Sequence, residues 1–357
     1  MTTPRRIALL HAYSADNRGD GLLVDLAIDA VRAALGVDTQ ITILAHYPES
    51  FRDVDAVVLP AAPSLRGYDK KYVQELRSLD SYDLVLGVGG GYLRFGTLES
   101  AMKAALVHGP QLLAASRSGA PSLYLPQSIG PLRIWGARAA ARRLLRRIDS
   151  VHARDDRTIA ELTLANVSRA VDMAVPRVVD GRRDRSEHDP ARPVVLSVRN
   201  VGKTVPAAVH ELARRIAPFD GYVQSSVGSN NDHAAMASVG PARVISRADL
   251  LESAGQPRVV VAVRMHAALM ALEAGHYVIH LAYERKGFSA FQDLGLADYV
   301  HPVRRFDPAH VARQAEELMT ARATRDAYDG AMRDARDRGL ASQRAVIDRI
   351  RALAKAA

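Results

Sequence analysis

The sequence predicts an α/β protein of two domains, each built on a parallel, doubly wound sheet. The chain has 357 residues, of which 48% are hydrophobic and 24% charged, so it is globular and long enough for two compact domains. Short apolar runs alternate with segments whose apolar residues recur at helical spacing, as in βαβ units. A charged segment whose only apolar residue is Ala191, residues 181–192, separates two such series and predicts a linker.

The first domain is expected to span residues 1–180. Its first strand is the apolar run Arg6–Ala12, and apolar residues at helical spacing from Leu22 to Ala34 predict the helix that follows. Further strands are predicted at 39–45, 55–59, 83–87, 121–125 and 150–153. Helices are predicted at 71–79, after the glycine-rich segment 87–91, at 135–147 and from 157 onwards.

The second domain is expected to span residues 193–320. Its strands are predicted at 193–198, 221–227, 243–246, 258–263 and 276–281. Residues 321–357, rich in alanine, arginine and aspartate, predict a helical tail that packs back on the first domain. Two similar domains joined by a linker imply a cleft between them, where ligands usually bind.

Composition excludes several classes of protein. The absence of cysteine removes disulfides, thiolate nucleophiles and cysteine-ligated zinc, and fits a reducing, cytoplasmic compartment. No apolar run suits a signal peptide or a membrane span, since the most apolar stretch is interrupted by Arg264 and His266. The net charge of +9 indicates anionic partners, but aromatic residues are 5% and no recognition motif favours nucleic acid.

The loop after the first predicted strand is a candidate anion site. Asn17, Gly19 and Asp20 precede the first helix, where backbone N–H groups and the helix dipole favour an anion. An ordinary turn capped by Asp20 would explain the same residues.

A second candidate loop contains consecutive glycines after a strand. Gly89, Gly90 and Gly91 would let a substrate lie against the backbone, or would serve close packing alone. Tyr92 breaks the dinucleotide fingerprint, and the segment lacks the Gly-Lys-Ser/Thr of a phosphate-binding loop.

Two further candidates also follow predicted strands of the first domain. Ser128 lies in a loop that an ordinary turn would also explain. Arg154 precedes two aspartates at a strand end, so it is a candidate for anion binding, although an ordinary ion pair is the alternative.

The densest group of candidates lies between residues 259 and 286. A buried strand ends at Arg264, and His266 stands at the start of the apolar helix after it. The next strand leads to Tyr283, Glu284, Arg285 and Lys286 at the same edge of the sheet. One histidine and three cations would converge there, as suits a substrate that carries phosphate and carboxylate.

At these residues the chain resembles the polysaccharide pyruvyl transferase family. The motifs are NxGD, GGG, SIGP, Ala-Arg followed by two acids, RMHA and the lysine of YERK, at residues 17–20, 89–91, 128–131, 153–156, 264–267 and 286. The resemblance implies two Rossmann-like domains in the glycosyltransferase-B arrangement, with the acceptor on the first and the donor on the second. It also implies phosphoenolpyruvate as donor and a pyruvate ketal formed across two hydroxyls of one sugar.

Carried over by position, the resemblance implies that Arg154 and Lys286 bind the donor, with Arg264 beside them, and that His266 is catalytic. His266 is the best acid for the methylene carbon of the donor because imidazole titrates nearest neutrality. Glu284 and His276 are the next candidates. No metal or cofactor is expected, since the chemistry needs none and no cluster of histidines and carboxylates stands out.

The sequence leaves undecided the identity of the acceptor and the choice between pyruvyl transfer and one alternative function. Arg94 follows Leu93 where family members often carry an acidic residue, and the acceptor sugar belongs to a polymer, a glycolipid or a lipid-linked precursor. The rival is a nucleotide-sugar-dependent glycosyltransferase of the same architecture, because strand-end cations also bind diphosphates.

A row of arginines marks the helix predicted at 135–147. Its members are Arg138, Arg142 and Arg146, with Arg143 and Arg147 beside them. A solvated basic face is the ordinary explanation, and peripheral docking on anionic lipid or on a lipid-linked diphosphate is the alternative.

Overall fold

A computed structural model of the chain describes residues 4–16, 18–65, 67–184, 187–226, 231–251 and 255–355. Asn17, one of the candidate binding residues, lies outside the described residues. The chain divides into two compact units. The N-terminal unit runs to Ala174 and includes the residues from Ala341 onwards, and the C-terminal unit is Val175–Leu340.

The N-terminal unit is a parallel sheet covered by helices. Its strands are β1 (Arg6–Ala12), β2 (Gln40–Ala45), β3 (Val57–Pro60), β4 (Leu84–Gly87), β5 (Ser122–Gln127), β6 (Ser150–Ala153) and β7 (Val167–Arg169). Its helices are α1 (Arg18–Leu35), α2 (Lys70–Arg77), α3 (Leu98–Lys103), α4 (Gly109–Ala115), α5 (Ala137–Leu145) and α6 (Asp156–Leu162). A π-helical turn, Ala104–His108, joins α3 to α4. The strands pair in parallel in the order β3-β2-β1-β4-β5-β6-β7, which confirms the predicted doubly wound sheet.

The two faces of this sheet bury different helices because successive strand side chains point to opposite sides. Ile7 and Leu9 of β1 pack on the side of α1, and Ala8 and Leu10 pack on the side of α2, α4, α5 and α6. The order of strands reverses between β1 and β4. In open α/β sheets, ligands bind beyond the carboxyl ends of the strands at such a reversal.

The C-terminal unit repeats this architecture with a second parallel sheet. Its strands are β8 (Val195–Ser197), β9 (Asp220–Tyr222), β10 (Arg243–Ile245), β11 (Val259–Ala262), β12 (Tyr277–Ala282) and β13 (Val300–Pro302). Its helices are α7 (Ala174–Gly181), α8 (Ala207–Arg215), α9 (His233–Val239), α10 (Arg247–Leu251), α11 (Met265–Glu273), α12 (Arg285–Asp293) and α13 (Pro308–Thr320), and α14 (Arg322–Lys355) begins here. The strand order is β10-β9-β8-β11-β12-β13, so this sheet reverses between β8 and β11.

The predicted tail helix is α14, and it contributes to both units. Its residues from Ala341 onwards belong to the N-terminal unit. Val346, Ile350 and Leu353 are buried there in the same core cluster as α1, which explains the apolar spacing near the end of an otherwise polar helix. Within the described residues, no helix combines the length and the apolar character that crossing a membrane requires.

One element differs from its prediction at a candidate site. α1 begins at Arg18, four residues before the predicted start, so Gly19 and Asp20 lie in its first turn and not in a loop. The carboxylate of Asp20 favours this earlier start, because acidic side chains interact well with the positive end of the helix dipole.

Candidate functional site

The glycine segment of the N-terminal unit follows β4, at the reversal of strand order. A Cβ atom on Gly89 would stand 2.8 Å from the carbonyl oxygen of Pro126, so close packing of the segment against β5 requires glycine there. Gly90 has φ +150° and accepts a hydrogen bond of 2.8 Å from the backbone N–H of Ser128. Packing and backbone conformation therefore account for glycine at positions 89 and 90 without a ligand.

Arg154 joins three of the candidate positions. Its Nε donates to Ser128 Oγ at 3.1 Å, and its guanidinium lies 3.5 Å from where a Cβ atom on Gly91 would stand. Its Nη1 is 2.5 Å from Asp172 Oδ2, and the side chains of this pair are 3% and 2% exposed. Asp172, which the sequence analysis did not identify, therefore holds Arg154 in place and compensates its charge.

A cluster of buried aromatic and imidazole rings lies beside the glycine segment. His11, in β1 at φ +70°, stacks on Tyr92 at 4.5 Å, and His108 approaches the same tyrosine at 4.7 Å. His11 Nε2 is 2.8 Å from the hydroxyl of Tyr124. Burial, with the nearby charges of His46 and Lys103, lowers the pKa of His108 to about 3. Burial also lowers the pKa of His11 well below 6.5, so both imidazoles are neutral.

A second aromatic group is more accessible and follows β1 and β2. Tyr13 and His46 are stacked 5.0 Å apart, and the exposed Tyr47 meets both rings edge-on. Lys103 Nζ donates to the hydroxyl of Tyr13 at 2.9 Å. Tyrosine and histidine side chains at a sheet edge can pack against a sugar ring and donate hydrogen bonds to its hydroxyls.

The buried histidines predict a loss of stability in acid. Their folded pKa values lie below the value of 6.5 in the unfolded chain, so the unfolded state binds more protons as the pH falls from 6.5 towards 3. We expect His108 to cost about 2 kcal/mol of unfolding free energy at pH 5 relative to pH 7, and His11 to act in the same direction. Urea unfolding monitored at several pH values measures this slope.

The test variant is His108→Phe, which removes a buried titrating group. His108→Phe should flatten the acid limb, which is the fall of the unfolding free energy below pH 6.5, whatever its effect on stability at pH 7. An acid limb of equal steepness in His108→Phe would contradict the assignment.

The carboxyl edge of the C-terminal sheet carries the other predicted candidates. Arg199 follows β8 and Arg264 follows β11, so the two arginines flank the reversal of strand order. Arg199, which the sequence analysis did not single out, donates to the hydroxyl of Tyr283 at 2.9 Å and lies over its ring. The predicted Tyr283 segment is thereby joined to β8 as well as to β12.

Arg264 forms a bidentate ion pair. Its Nε and Nη2 lie 2.5 and 2.8 Å from the two carboxylate oxygens of Asp232, which is buried. The pair fixes the guanidinium and offsets its charge. Arg264 is therefore a positioned cation whose field on a ligand is reduced by its partner.

His266 and Lys286 occupy equivalent places on neighbouring helices. β11 and β12 are paired in register from Val259 opposite Tyr277 to Ala262 opposite His280, so α11 and α12 begin side by side. His266 is the second residue of α11 and Lys286 the second residue of α12, and both are half-buried. Lys286 Nζ lies 3.2 Å from Glu284 Oε2.

Two other histidines of this unit are structural. His276 is fully buried at the start of β12, with its Nδ1 accepting from the Arg258 N–H and its Nε2 2.5 Å from the Leu250 carbonyl. It therefore lies at the opposite end of the strand from His266. Burial lowers the pKa of His280 to about 4, and its Nδ1 is 2.8 Å from the Ala262 carbonyl.

The candidates thus form one group in each unit. Ser128, Arg154 and the glycines belong to the N-terminal unit, and Arg264, His266 and Lys286 belong to the C-terminal unit. The cleft expected between the domains stays a prediction. In the part of the chain that the structure describes, no three histidine, aspartate or glutamate side chains are grouped as a metal ion would require.

Comparison with known proteins identifies both fold and sequence relatives. The family model for polysaccharide pyruvyl transferase matches residues 17–285, which is most of the chain. No curated protein is detectably similar to the chain in sequence.

Solved structures share the fold at low identity. A Listeria monocytogenes protein assigned as a UDP-N-acetylglucosamine 2-epimerase has a TM-score of 0.59 at 11% identity, covering 96% of this chain and 95% of its own. The Anabaena protein HepE, solved with UDP and glucose, has a TM-score of 0.57 at 12% identity, covering 96% and 98%. A calicheamicin glycosyltransferase has a TM-score of 0.53 at 14% identity, covering 99% and 98%. These likenesses confirm the predicted fold class, two Rossmann-like domains of the glycosyltransferase-B type.

Proposed function

The chain belongs to the polysaccharide pyruvyl transferase family, and on this basis we propose that it transfers pyruvate from phosphoenolpyruvate to two hydroxyls of one sugar. The product is a pyruvate ketal on a glycan or glycolipid, and phosphate is released. The donor binds at the carboxyl edge of the C-terminal sheet, and the acceptor at the carboxyl edge of the N-terminal sheet.

The observation that carries the donor site is the pairing of helix starts at β11 and β12. The first turns of α11 and α12 direct backbone N–H groups and the positive ends of two helix dipoles towards the same edge. Lys286, Arg264 and Arg199 add cations there. A small trianionic donor with a phosphate and a carboxylate suits such a surface.

His266 supplies the proton that starts the reaction. Proton transfer to the methylene carbon of phosphoenolpyruvate forms the methyl group and leaves an oxocarbenium-like carbon. One sugar hydroxyl adds to that carbon and loses its proton, which balances the proton given by His266. The second hydroxyl displaces phosphate, and its proton leaves with the phosphate. Lys286 stabilises the charge of the donor and of the leaving phosphate.

The acceptor side is supported by the accessible aromatic group of the N-terminal unit. Tyr13, His46 and Tyr47 lie beyond β1 and β2, next to the reversal of strand order. Arg94 stands where the family often has an acid, and its Nε donates to the Gly91 carbonyl at 2.6 Å. An acceptor bound at this place would contact an arginine, whereas in many family members it would contact a carboxylate.

The direct test is incubation with phosphoenolpyruvate and a panel of glycosides, followed by mass spectrometry for the added pyruvate and an assay for phosphate. Ketal formation with stoichiometric phosphate release supports the proposal. Release of phosphate without modified sugar contradicts it.

The fold is shared with a calicheamicin glycosyltransferase and with a protein solved with UDP and glucose, which favours one alternative, a glycosyl transfer from a nucleotide sugar at the same edge. A thermal-shift panel separates the two functions, because a ligand that binds the folded state raises Tm. Stabilisation by phosphoenolpyruvate and not by UDP-sugars supports pyruvyl transfer, and the reverse pattern supports the alternative.

The Lys286→Ala variant is expected to bind phosphoenolpyruvate at least about 10-fold more weakly than the wild type. The ammonium interacts with charge that the donor already carries in its ground state, so its loss raises Kd. Glu284→Gln should act in the opposite direction, since the carboxylate 3.2 Å away competes with the donor for Nζ. Calorimetric titration measures both values of Kd.

The control is Lys70→Ala, which removes an exposed lysine of α2 in the other unit. It should leave Kd unchanged. Equal weakening by Lys70→Ala would show that the overall charge of the protein, and not the place of Lys286, determines donor affinity.

A further inference from the structure

The positive charge of the chain is concentrated in two segments of the N-terminal unit. Residues 94–118 and 133–148 contain nine lysines and arginines but one acidic residue, Glu99. This is a surplus of eight positive charges in a chain whose net charge is +9. The segments form α3, the π turn and α4, and the loop and helix of α5.

These segments lie together on one side of the N-terminal sheet. α4 and α5 pack against each other, and Leu112 of α4 and Leu145 of α5 are buried in the same core cluster. The backbone N–H groups of Arg133 and Ile134 both donate to the Phe95 carbonyl at 3.0 Å, which ties the start of α5 to the start of α3. The outer sides of the helices therefore form one surface, here named the basic-apolar face.

Large apolar side chains are exposed on the basic-apolar face. Leu98, Met102 and Leu106 recur every four residues along α3 and the π turn and are 69%, 56% and 51% exposed. Trp135, in the loop tied to Phe95, is 97% exposed. Such a stripe is costly in water, because it leaves apolar surface unburied, and it marks an interaction site.

Exposed cations lie on the same segments as this stripe. Arg143, Arg146 and Arg147 are exposed at the end of α5, and Arg133 and Lys103 are exposed nearer to the apolar side chains. Leucine, methionine and tryptophan beside arginine and lysine form the composition that binds the interface of an anionic bilayer, with apolar groups among the acyl chains and cations among the headgroups.

We propose that the basic-apolar face docks on the surface of a membrane that contains anionic phospholipids. A second copy of the chain is a poorer occupant, because a two-fold contact of this face with itself would oppose like charges. Nucleic acid would satisfy the arginines but would leave the leucine and methionine side chains in water. The inference does not depend on pyruvyl transfer.

Trp135 provides a probe that is built into the face. It is the only tryptophan of the chain, so intrinsic tryptophan fluorescence reports on this place alone. The full-length protein is titrated with vesicles of phosphatidylglycerol and phosphatidylcholine in equal parts at physiological salt. We expect a blue shift and flotation with these vesicles, and neither with phosphatidylcholine alone.

Charge variants test the geometry of docking. Each cation near an anionic bilayer contributes about fivefold to partitioning, so the triple variant Arg143→Gln, Arg146→Gln and Arg147→Gln should bind roughly 100-fold more weakly. The matched control is Arg313→Gln, Arg338→Gln and Arg344→Gln, which removes three exposed helical arginines elsewhere and should bind like the wild type. Circular dichroism verifies that both variants fold.

Four results would overturn the proposal. They are no flotation with anionic vesicles, flotation without a shift of Trp135 emission, a blue shift that depends on protein concentration in the absence of vesicles, and a blue shift with duplex DNA but not with vesicles. Equal weakening of both triple variants would likewise show that net charge, and not this face, attracts the membrane.

Discussion

Replacing His266 by glutamine is expected to lower turnover by roughly 10²- to 10⁴-fold, which is the usual contribution of one positioned general acid. Glutamine is similar to histidine in size, so the first turn of α11 keeps its shape, but an amide cannot give a proton to carbon. In the proposed site, cations and not His266 bind the phosphate and carboxylate of the donor, so the Kd of the donor should change little. Calorimetry with phosphoenolpyruvate and ketal formation by mass spectrometry measure the two quantities.

The matched control is His310→Gln, an exposed histidine on α13 of the same unit, which should keep wild-type turnover. Near wild-type turnover in His266→Gln would place the acid elsewhere. Glu284, at the start of α12, would then be tested next. His276, the other substitute expected from sequence, is removed by the structure, because it is buried at the opposite end of its strand with both ring nitrogens engaged.

The fold was predictable where strands are central and buried. β4 and β11 are continuous apolar runs, and β1 and β12 are apolar runs that each contain one histidine, which is the pattern of strands covered on both faces. β7 and β13 were not predicted. Both are three-residue strands at the edge of a sheet, Val-Ser-Arg and Val-His-Pro, and both are partly exposed. Their pairing with a neighbour defines them, and no local pattern reveals it.

The strand-end positions of the candidate cations were predictable from the sequence, but their carboxylate partners were not. Strand-end position indicated Arg154, Arg264 and Lys286, whereas the carboxylates of Asp172 and Asp232 stand in no motif. Asp172 is 18 residues from Arg154 in sequence, and Asp232 is 32 residues from Arg264, so only the folded chain brings each pair together. Each expected donor-binding cation has a carboxylate at ion-pair distance, which orients the cation and moderates its charge.

The clustered rings beside the glycine segment were missed for a related reason. His11 looks like an interruption of an apolar strand, and His46 and His108 stand alone in the sequence. Their proximity arises because β1, β2 and the π turn meet at one end of the sheet. A histidine inside an otherwise apolar strand was the one local signal that could have indicated a polar cluster there.

Replacing Arg154 by methionine is expected to destabilise the N-terminal unit by about 3–5 kcal/mol, because it leaves the carboxylate of Asp172 buried without its cation. For a unit of this size the loss corresponds to a fall in Tm of roughly 10 °C. The control is Arg32→Met, which breaks an ion pair with the exposed Asp55 and should cost at most about 1 kcal/mol. Urea unfolding of each variant at pH 7 measures the difference.

A second substitution separates this structural role from donor binding. Asp172→Asn in the Arg154→Met background removes the buried charge, while the asparagine side-chain oxygen can still accept the N–H of Ala174, as the carboxylate does at 3.0 Å. Most of the lost stability should return. If Arg154 also binds the donor, the stable double variant will still bind phosphoenolpyruvate more weakly than the wild type. Wild-type donor affinity in that variant would show that Arg154 only positions Ser128 and the glycine segment. Unchanged stability in Arg154→Met would refute the stabilising role of the buried pair.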